Sequence, residues 1–425
     1  CRPHVYDRRA LRPYTKIMRH GLHRRWPARN DSGDNTAAVM RPALVCLRRS
    51  TPALRNLSYP ADAWRHYDEV HAALAPWLQS APGFHPHGAA GYGGPWLENV
   101  WITHFEAKAK AARAAGAPLS AVFGPYIPIL VPFTDLWVHG GPRQVGQKRY
   151  RYPSGFVRSL VGVIRPSVAY ILLSQNDEGV TGRSELPMRR IPNVVVLSAG
   201  GYGHVPIPLL KQPEPLLVRD ASTPLEHRPW LVSYVGSLDS TASGLRARMR
   251  DVVGASASKV GFRYRVTKGL SARWSMLRLP RSIERLISRL SGVGDSWRDV
   301  MAASKTSLCP RGFGRSSYHL AETIQMGRVP IHVYGDMPWL PYEALYRRSI
   351  GFAVDLTHLP VLLRALHFDR NASDAELAAR EQAIARLRTS HFTFEGVLTQ
   401  VSSFMLAPRQ ADLQCRRLPP SPRGG

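Results

Sequence analysis

Acidic residues are scarce in this 425-residue chain: 30 aspartates and glutamates stand against 57 lysines and arginines, a formal charge of +27. No two aspartates are spaced as Asp-x-Asp, so a divalent cation held through that triplet is excluded. Cysteine is rarer still. Cys1, Cys46, Cys309 and Cys415 are too few for a disulfide framework and lack metal-ligand spacing. Cys309 reads as a small buried residue, and Cys1 and Cys415, near the two ends, either pair or stay free. Long apolar runs are missing too: none approaches the ~20 residues of a transmembrane helix.

What is present bounds the class. With 44% hydrophobic residues the chain buries substantial cores, and its length predicts two domains. Such a basic balance marks a nucleic-acid, membrane-surface or acidic-glycan partner when the charge is clustered. Here the arginines are scattered along the chain, as on solvated faces. A recognisable reading helix, an aromatic-interleaved basic stripe and zinc spacing are all lacking, which disfavours nucleic acid as a partner.

The most informative stretch is Leu308-Cys309-Pro310-Arg311-Gly312-Phe313-Gly314-Arg315-Ser316-Ser317. Its apolar lead-in reads as a strand stopped at Pro310. Helical spacing over Tyr318–Met326 follows, with Leu320, Ala321 and Ile324 on one face and Gly327 as the stop. Val329–Tyr334 is a second strand. In this strand–loop–helix–strand unit, Gly312 and Gly314 let the backbone approach a ligand closely. The first helical turn at Ser316 and Ser317 offers unpaired N–H groups and a partial positive charge, the chemistry of a phosphate site. Arg311 and Arg315 add formal charge, and Glu322 can accept two hydroxyl hydrogens from a ribose cis-diol. The pattern points to a nucleotide diphosphate at a strand-to-helix turn. A Gly-rich connection with solvated arginines has the same spacing.

The run from Cys309 to Glu322, followed by Gly327-Arg328-Val329-Pro330-Ile331, resembles the donor-site signature of exostosin-type glycosyltransferases. Trp297-Arg298-Asp299-Val300-Met301, Ser304 and Leu340-Pro341 extend the match. The resemblance implies a nucleotide-sugar diphosphate over the turn, a ribose on Glu322 and an arginine facing the diphosphate, for which Arg246 is the nearest match. His319 stands where many relatives carry arginine, and neutral histidine supplies no dependable charge. The resemblance further implies sugar transfer with inversion from a UDP-sugar donor to a glycan hydroxyl; with no Asp-x-Asp triplet, cationic stabilisation without a metal or other cofactor is the simpler expectation. It also implies a Golgi lumenal location, with a type II membrane anchor outside this chain. The start at Cys1 rather than methionine is expected of a fragment or processed form, and sequons at Asn30, Asn56 and Asn371 are compatible with a secretory lumen.

The first half is read more loosely. Ala43–Leu47 is a short apolar run suited to a first strand, and Ala61–Leu78 and Leu97–Ala115 have helical spacing. His85 and His87 lie in a Gly/Pro/His-rich loop with no partner cluster of ligand spacing nearby, so that loop is expected over the acceptor cleft rather than on a metal. Prolines break Ala121–Val138 into a short strand and an extended segment. Two buried strands, Val168–Leu173 and Val194–Leu197, end in polar clusters where open α/β sheets gather ligands. One cluster holds Asn176, Asp177 and Glu178, and the other is the glycine turn Ser198–His204. For the general base that inversion requires, Asp177 is the first candidate, with Glu178 and His204 behind it.

The expectation is therefore an α/β protein of GT-B type, two Rossmann-like domains facing across a cleft. Residues 1–40 are a basic tail or stem, 41–210 an acceptor-side domain, 211–228 a linker, 229–407 the nucleotide-sugar-binding domain and 408–425 an unstructured end. The donor set is Arg246, Arg311, Gly312, Ser316, Ser317 and Glu322. A catalytically silent glycan-binding relative is the alternative, with a basic nucleic-acid-binding protein behind it.

Overall fold

The computed structural model describes residues 46–47, 57–80, 96–139, 152–153, 155–176, 180, 186, 188–201, 203–210, 223–238, 244–268, 297–368 and 370–416. The first half runs α1 (Ala63–Ser80), α2 (Leu97–Ala114), α3 (Ser120–Phe123), β1 (Ile127–Ile129), α4 (Phe133–His139), α5 (Phe156–Val163), β2 (Tyr170–Ser174), β3 (Val194–Ser198) and β4 (Val205–Pro206). The four strands form one sheet in the order β1-β2-β3-β4, every neighbouring pair parallel. All their residues are buried. Continuous apolar runs such as Tyr-Ile-Leu-Leu and Val-Val-Val-Leu suit strands covered on both faces. The register pairs Ser174 with Ser198, so β2 and β3 turn polar at the same level.

The second half continues with β5 (Trp230–Gly236), α6 (Leu245–Val260), β6 (Tyr264–Lys268), α7 (Trp297–Ala302), β7 (Ser304–Pro310), α8 (Tyr318–Gln325), β8 (Val329–Tyr334), α9 (Glu343–Leu345), β9 (Phe352–Asp355), α10 (Leu359–Phe368), α11 (Arg370–His391) and α12 (Phe394–Leu406). These strands make a second parallel sheet in the order β6-β5-β7-β8-β9. The chain builds outward in one direction from β5 to β6, then in the other from β7 to β9. That reversal puts a crevice at the carboxyl ends of β5 and β7, the topological switch point where open α/β sheets bind ligands. The α/β class with two parallel sheets is as the sequence led us to expect.

One apolar core joins the halves. The last helix, α12, returns to pack on α2 and α3. The fit is tight at Gly124, which has φ +57° and lies where a Cβ would come within 2.2 Å of the Met405 carbonyl oxygen. A buried ion cluster braces the second half: Glu381 receives Arg228 Nη2 at 3.0 Å and lies 3.6 Å from Arg328 Nη1.

Several expectations are corrected. Cys46 and Leu47 are helical, not part of a strand. The segment after Pro132 winds into α4 instead of staying extended, because proline is well tolerated just before or in a first turn. Residues 408–416 of the expected unstructured end are ordered. Leu413 is 1% exposed, and Cys415 is bonded to Cys46 across 369 residues of sequence, so neither pairing with Cys1 nor a free thiol describes it. Cys309 is buried and free. Residues 1–45, the loop carrying His85 and His87, and 211–222 of the expected linker lie outside the described residues. Among those described, no helix is long and apolar enough to cross a membrane.

Candidate functional site

The turn after β7 is built largely from its own atoms. Pro310 ends the strand, Arg311 N donates to Val333 O at 3.0 Å, and Gly312 N donates to Ser316 O at 2.8 Å. The Gly312 amide is thereby taken up in closing the loop rather than offered to a ligand. Arg311 is also turned inward: Nε donates to Gly314 O at 2.9 Å, Nη2 to Phe313 O at 2.8 Å and Nη1 to Asp336 at 3.1 Å. Arg315 donates to the other Asp336 oxygen at 2.8 Å. Both expected phosphate cations are thus bound to one carboxylate that the local sequence did not reveal, and Arg311 braces the shape of the turn.

The opening of α8 is different. Ser317 is its N-cap in extended conformation, with no side-chain cap bond. Its hydroxyl is buried with no hydrogen-bond partner, and the residue is 8% exposed. A buried hydroxyl costs free energy unless a partner arrives. Here it stands at the positive end of a helix. Ser316 is buried beside it.

Around this helix end the second sheet gathers the remaining donor candidates. Arg246, from the first turn of α6, donates Nε to Arg311 O at 3.1 Å and Nη1 to Ser237 O at 3.1 Å. It therefore ties the loops after β5 and β7 together across the switch point. Tyr234 stands edge-on to His319, with centroids 5.3 Å apart. His319 Nε2 bonds Ser307 Oγ at 3.1 Å, and its Nδ1 lies 3.7 Å from Glu322. Glu322, one turn into α8 and 8% exposed, is placed with the helix end. Histidine here is a packing and hydrogen-bonding residue under the turn.

The carboxyl edge of the first sheet meets this site directly. Arg315 N donates to Gly200 O at 2.6 Å, and Arg416 N to His204 O at 2.7 Å. Trp339 Nε1 donates to Ser198 O at 3.0 Å, and Gln175 Nε2 to Tyr318 Oη at 3.2 Å. The carboxyl ends of both sheets therefore face one another in contact.

Of the three expected base candidates, Asp177 and Glu178 lie outside the described residues. His204 is 2% exposed, and its Nδ1 accepts the Val196 N–H at 3.0 Å. Burial pushes its pKa down to about 4. This geometry makes His204 the residue that holds the glycine turn, with a ring nitrogen already committed and little basicity left. Gly203 serves the same turn, since a Cβ there would lie 2.3 Å from Ser198 Cβ. Gly203→Ala is expected to cost about 1–3 kcal/mol through overpacking, read as a lower denaturant midpoint at unchanged slope.

Sequence reasoning missed the residues beneath this edge. Glu98, in the first turn of α2, is completely buried. Its carboxyl accepts Thr134 N at 2.8 Å, Thr134 Oγ1 at 2.6 Å and Gln175 N at 2.7 Å. Gln175 accepts Leu97 N–H and donates to Leu210 O at 2.8 Å as well as to Tyr318. Burial pushes the Glu98 carboxyl up to about 8, against the pull of its three donors and helped by Asp135. Asp135 itself is 1% exposed, and both its oxygens lack a hydrogen-bond partner. Burial raises it to about 7, with the Asn99 amide, outside strict hydrogen-bond geometry, tempering the rise. Glu98 sits among aromatic and apolar neighbours in sequence, and only an unexplained carboxylate in an otherwise inward-facing first turn hinted at it.

No family model matches the chain, and no curated protein matches it. Among solved structures, HepE of Anabaena, in a crystal structure with UDP and glucose, is similar at 12% identity, covering 72% of this chain and 76% of HepE with a TM-score of 0.30. AviGT4, a glycosyltransferase involved in avilamycin A biosynthesis, is similar at 13% identity, covering 75% of this chain and 93% of its own with a TM-score of 0.29. The spinosyn forosaminyltransferase SpnP is similar at 12% identity, covering 73% and 82% with a TM-score of 0.24. Likenesses of this degree are loose, and the functional reading rests on the residues.

Proposed function

We propose that the protein is a GT-B glycosyltransferase that moves a sugar from a nucleoside diphosphate, UDP foremost, to a glycan hydroxyl with inversion. The observation that carries this reading is the buried, unpartnered Ser317 hydroxyl at the N-terminus of α8, placed at the switch point of a parallel sheet with Glu322 one turn further in. A diphosphate there would satisfy the Ser317 hydroxyl, and the helix dipole would stabilise the negative charge that grows as the bond to the sugar breaks. Arg246 fixes the two loops that frame that position, and Glu322 takes the ribose. Charge stabilisation comes from the helix end, without a metal. The acceptor hydroxyl loses its proton to a carboxylate following β2, for which Asp177 remains our choice. The Cys46–Cys415 disulfide supports an oxidising compartment such as the Golgi lumen.

The test is calorimetric and thermal-shift titration with UDP and with GDP, on the wild type and on Glu322→Ala. Saturable stabilisation by one nucleotide, lost in the variant, is the expected outcome. A folded protein that ignores both nucleotides would sink the reading. Nucleotide binding without turnover of any UDP-sugar would identify a silent member of the same fold.

A further inference from the structure

A cavity of about 470 Å³ lies at the rim where the two sheets meet. Pro206, at the end of β4, closes one side. Leu340, Tyr342 and Glu343, beyond β8, form another, and Gln414 and Arg416 complete the wall. Two features fix its shape. The Cys46–Cys415 disulfide pins the segment that contributes Gln414 and Arg416. Tyr342 holds a left-handed backbone, φ 53° and ψ 45°, and among the described residues no other non-glycine has positive φ. Its buried hydroxyl donates to His391 O at 3.1 Å, and His391 in turn meets Asp412 at 3.0 Å. A residue held against its conformational preference in a cavity wall is a feature that surrounding structure maintains at functional sites.

The charges are unbalanced in one direction. Glu343 is shared between Arg416, at 2.8 Å, and Arg347, at 2.9 Å. Arg416 also donates to Pro338 O and lies 5.8 Å from the Trp339 ring centroid. Two residues before Pro338, Asp336 is shared in the same way between Arg311 and Arg315 of the donor turn. Four guanidinium groups thus meet two carboxylates along a strip from the turn to the cavity. Burial, with Arg347 and Arg315, makes Arg416 a weaker base than an ordinary arginine, and Glu343 opposes that. An anion from outside would relieve this excess, and a planar carboxylate matches a guanidinium fork.

We propose that this cavity is an acceptor subsite for a carboxylate-bearing saccharide, with a uronate seated on Arg416 in competition with Glu343. Polar Gln414 and the apolar Leu340 and Pro206 offer the mixed surface a sugar ring requires. The proposal deepens the glycosyltransferase reading and rests on it for the word acceptor. The binding itself does not depend on a nucleotide.

The experiment is calorimetric titration of the full chain, disulfide intact, at physiological salt with trigalacturonate, maltotriose and inorganic sulfate. Saturable binding of trigalacturonate, with neither maltotriose nor sulfate matching it, is expected. Arg416→Gln should weaken binding by about tenfold or more. Glu343→Gln, which removes the internal competitor, should tighten it. Arg386→Gln, on an exposed stretch of α11, should leave it unchanged and so separates the cavity from the general attraction of a basic protein. Equal binding of sulfate or maltotriose, an equal loss in Arg386→Gln, or weaker binding in Glu343→Gln would each overturn the proposal. UDP titrations on the same samples keep the two readings apart: trigalacturonate binding with no response to UDP rejects the donor site alone, and the converse rejects the cavity alone.

Discussion

Alanine at Glu98 is expected to be among the most destabilising single changes in this chain. It strips the acceptor from Thr134 N, Thr134 Oγ1 and Gln175 N in a site with no solvent exposure. Each orphaned buried donor costs about 1–3 kcal/mol, so a loss on the order of 3–5 kcal/mol follows. Glu98→Gln keeps an acceptor oxygen and should lose much less. The carboxyl also sets a pH dependence. Its ordinary value of 4.5 rises to about 8 in the fold, and that of Asp135 rises from 3.8 to about 7, both chiefly by burial. The native state therefore holds protons that the unfolded chain has released, and the unfolded state is favoured as pH climbs. Stability should be fullest below about pH 4 from these two groups, should decline as pH rises through the folded values, and should level off above them. Denaturant midpoints measured across this range on the wild type and Glu98→Gln check it. A wild-type midpoint that rises between pH 5 and 8, or a Gln variant with an unchanged slope, would count against this account. Because Gln175 also holds Tyr318, the Ala variant should bind the nucleotide more weakly even where it stays folded.

Breaking the Cys46–Cys415 bond is the second large effect. It joins residues separated by 369 positions, and loss of such a link typically removes about 2–5 kcal/mol, mostly by freeing the unfolded chain. Thermal melts of the oxidised protein, the reduced protein and Cys415→Ser should show the last two lowered together. A reduced protein that melts with the oxidised one would show that the end of the chain is held by its other contacts, Arg416 to His204 and Glu343. The same variant should lose trigalacturonate binding, since Gln414 and Arg416 reach the cavity wall through this anchor.

What could be read beforehand was what is local in sequence. Pro310, two glycines, two serines and a helical run from Tyr318 are consecutive, and their strand, turn and helix preferences act within a few residues. The apolar strands β2, β3 and β8 were legible for the same reason, as continuous runs suited to burial on both faces. Arg311 and Arg315 illustrate the limit. Their charge suggested phosphate contacts, and the fold brings Asp336, more than 20 residues onward, between them. His204 illustrates it too: its ring nitrogen accepts the Val196 N–H across the turn, a bond no local pattern announces.

The sequence by itself determined the parallel α/β class, the strand-to-helix turn with its two serines at the helix start, and the absence of an Asp-x-Asp metal motif. Only the tertiary structure decided which groups that turn leaves unsatisfied and which carboxyls lie buried beneath the opposite edge. It alone decided which cysteines meet and where a cavity opens between the halves. The physical reason is the same in each case. Hydrogen bonds, ion pairs and desolvation depend on which atoms meet in space. Here the decisive meetings join residues 36, 77, 143 and 369 positions apart, beyond the reach of any local pattern.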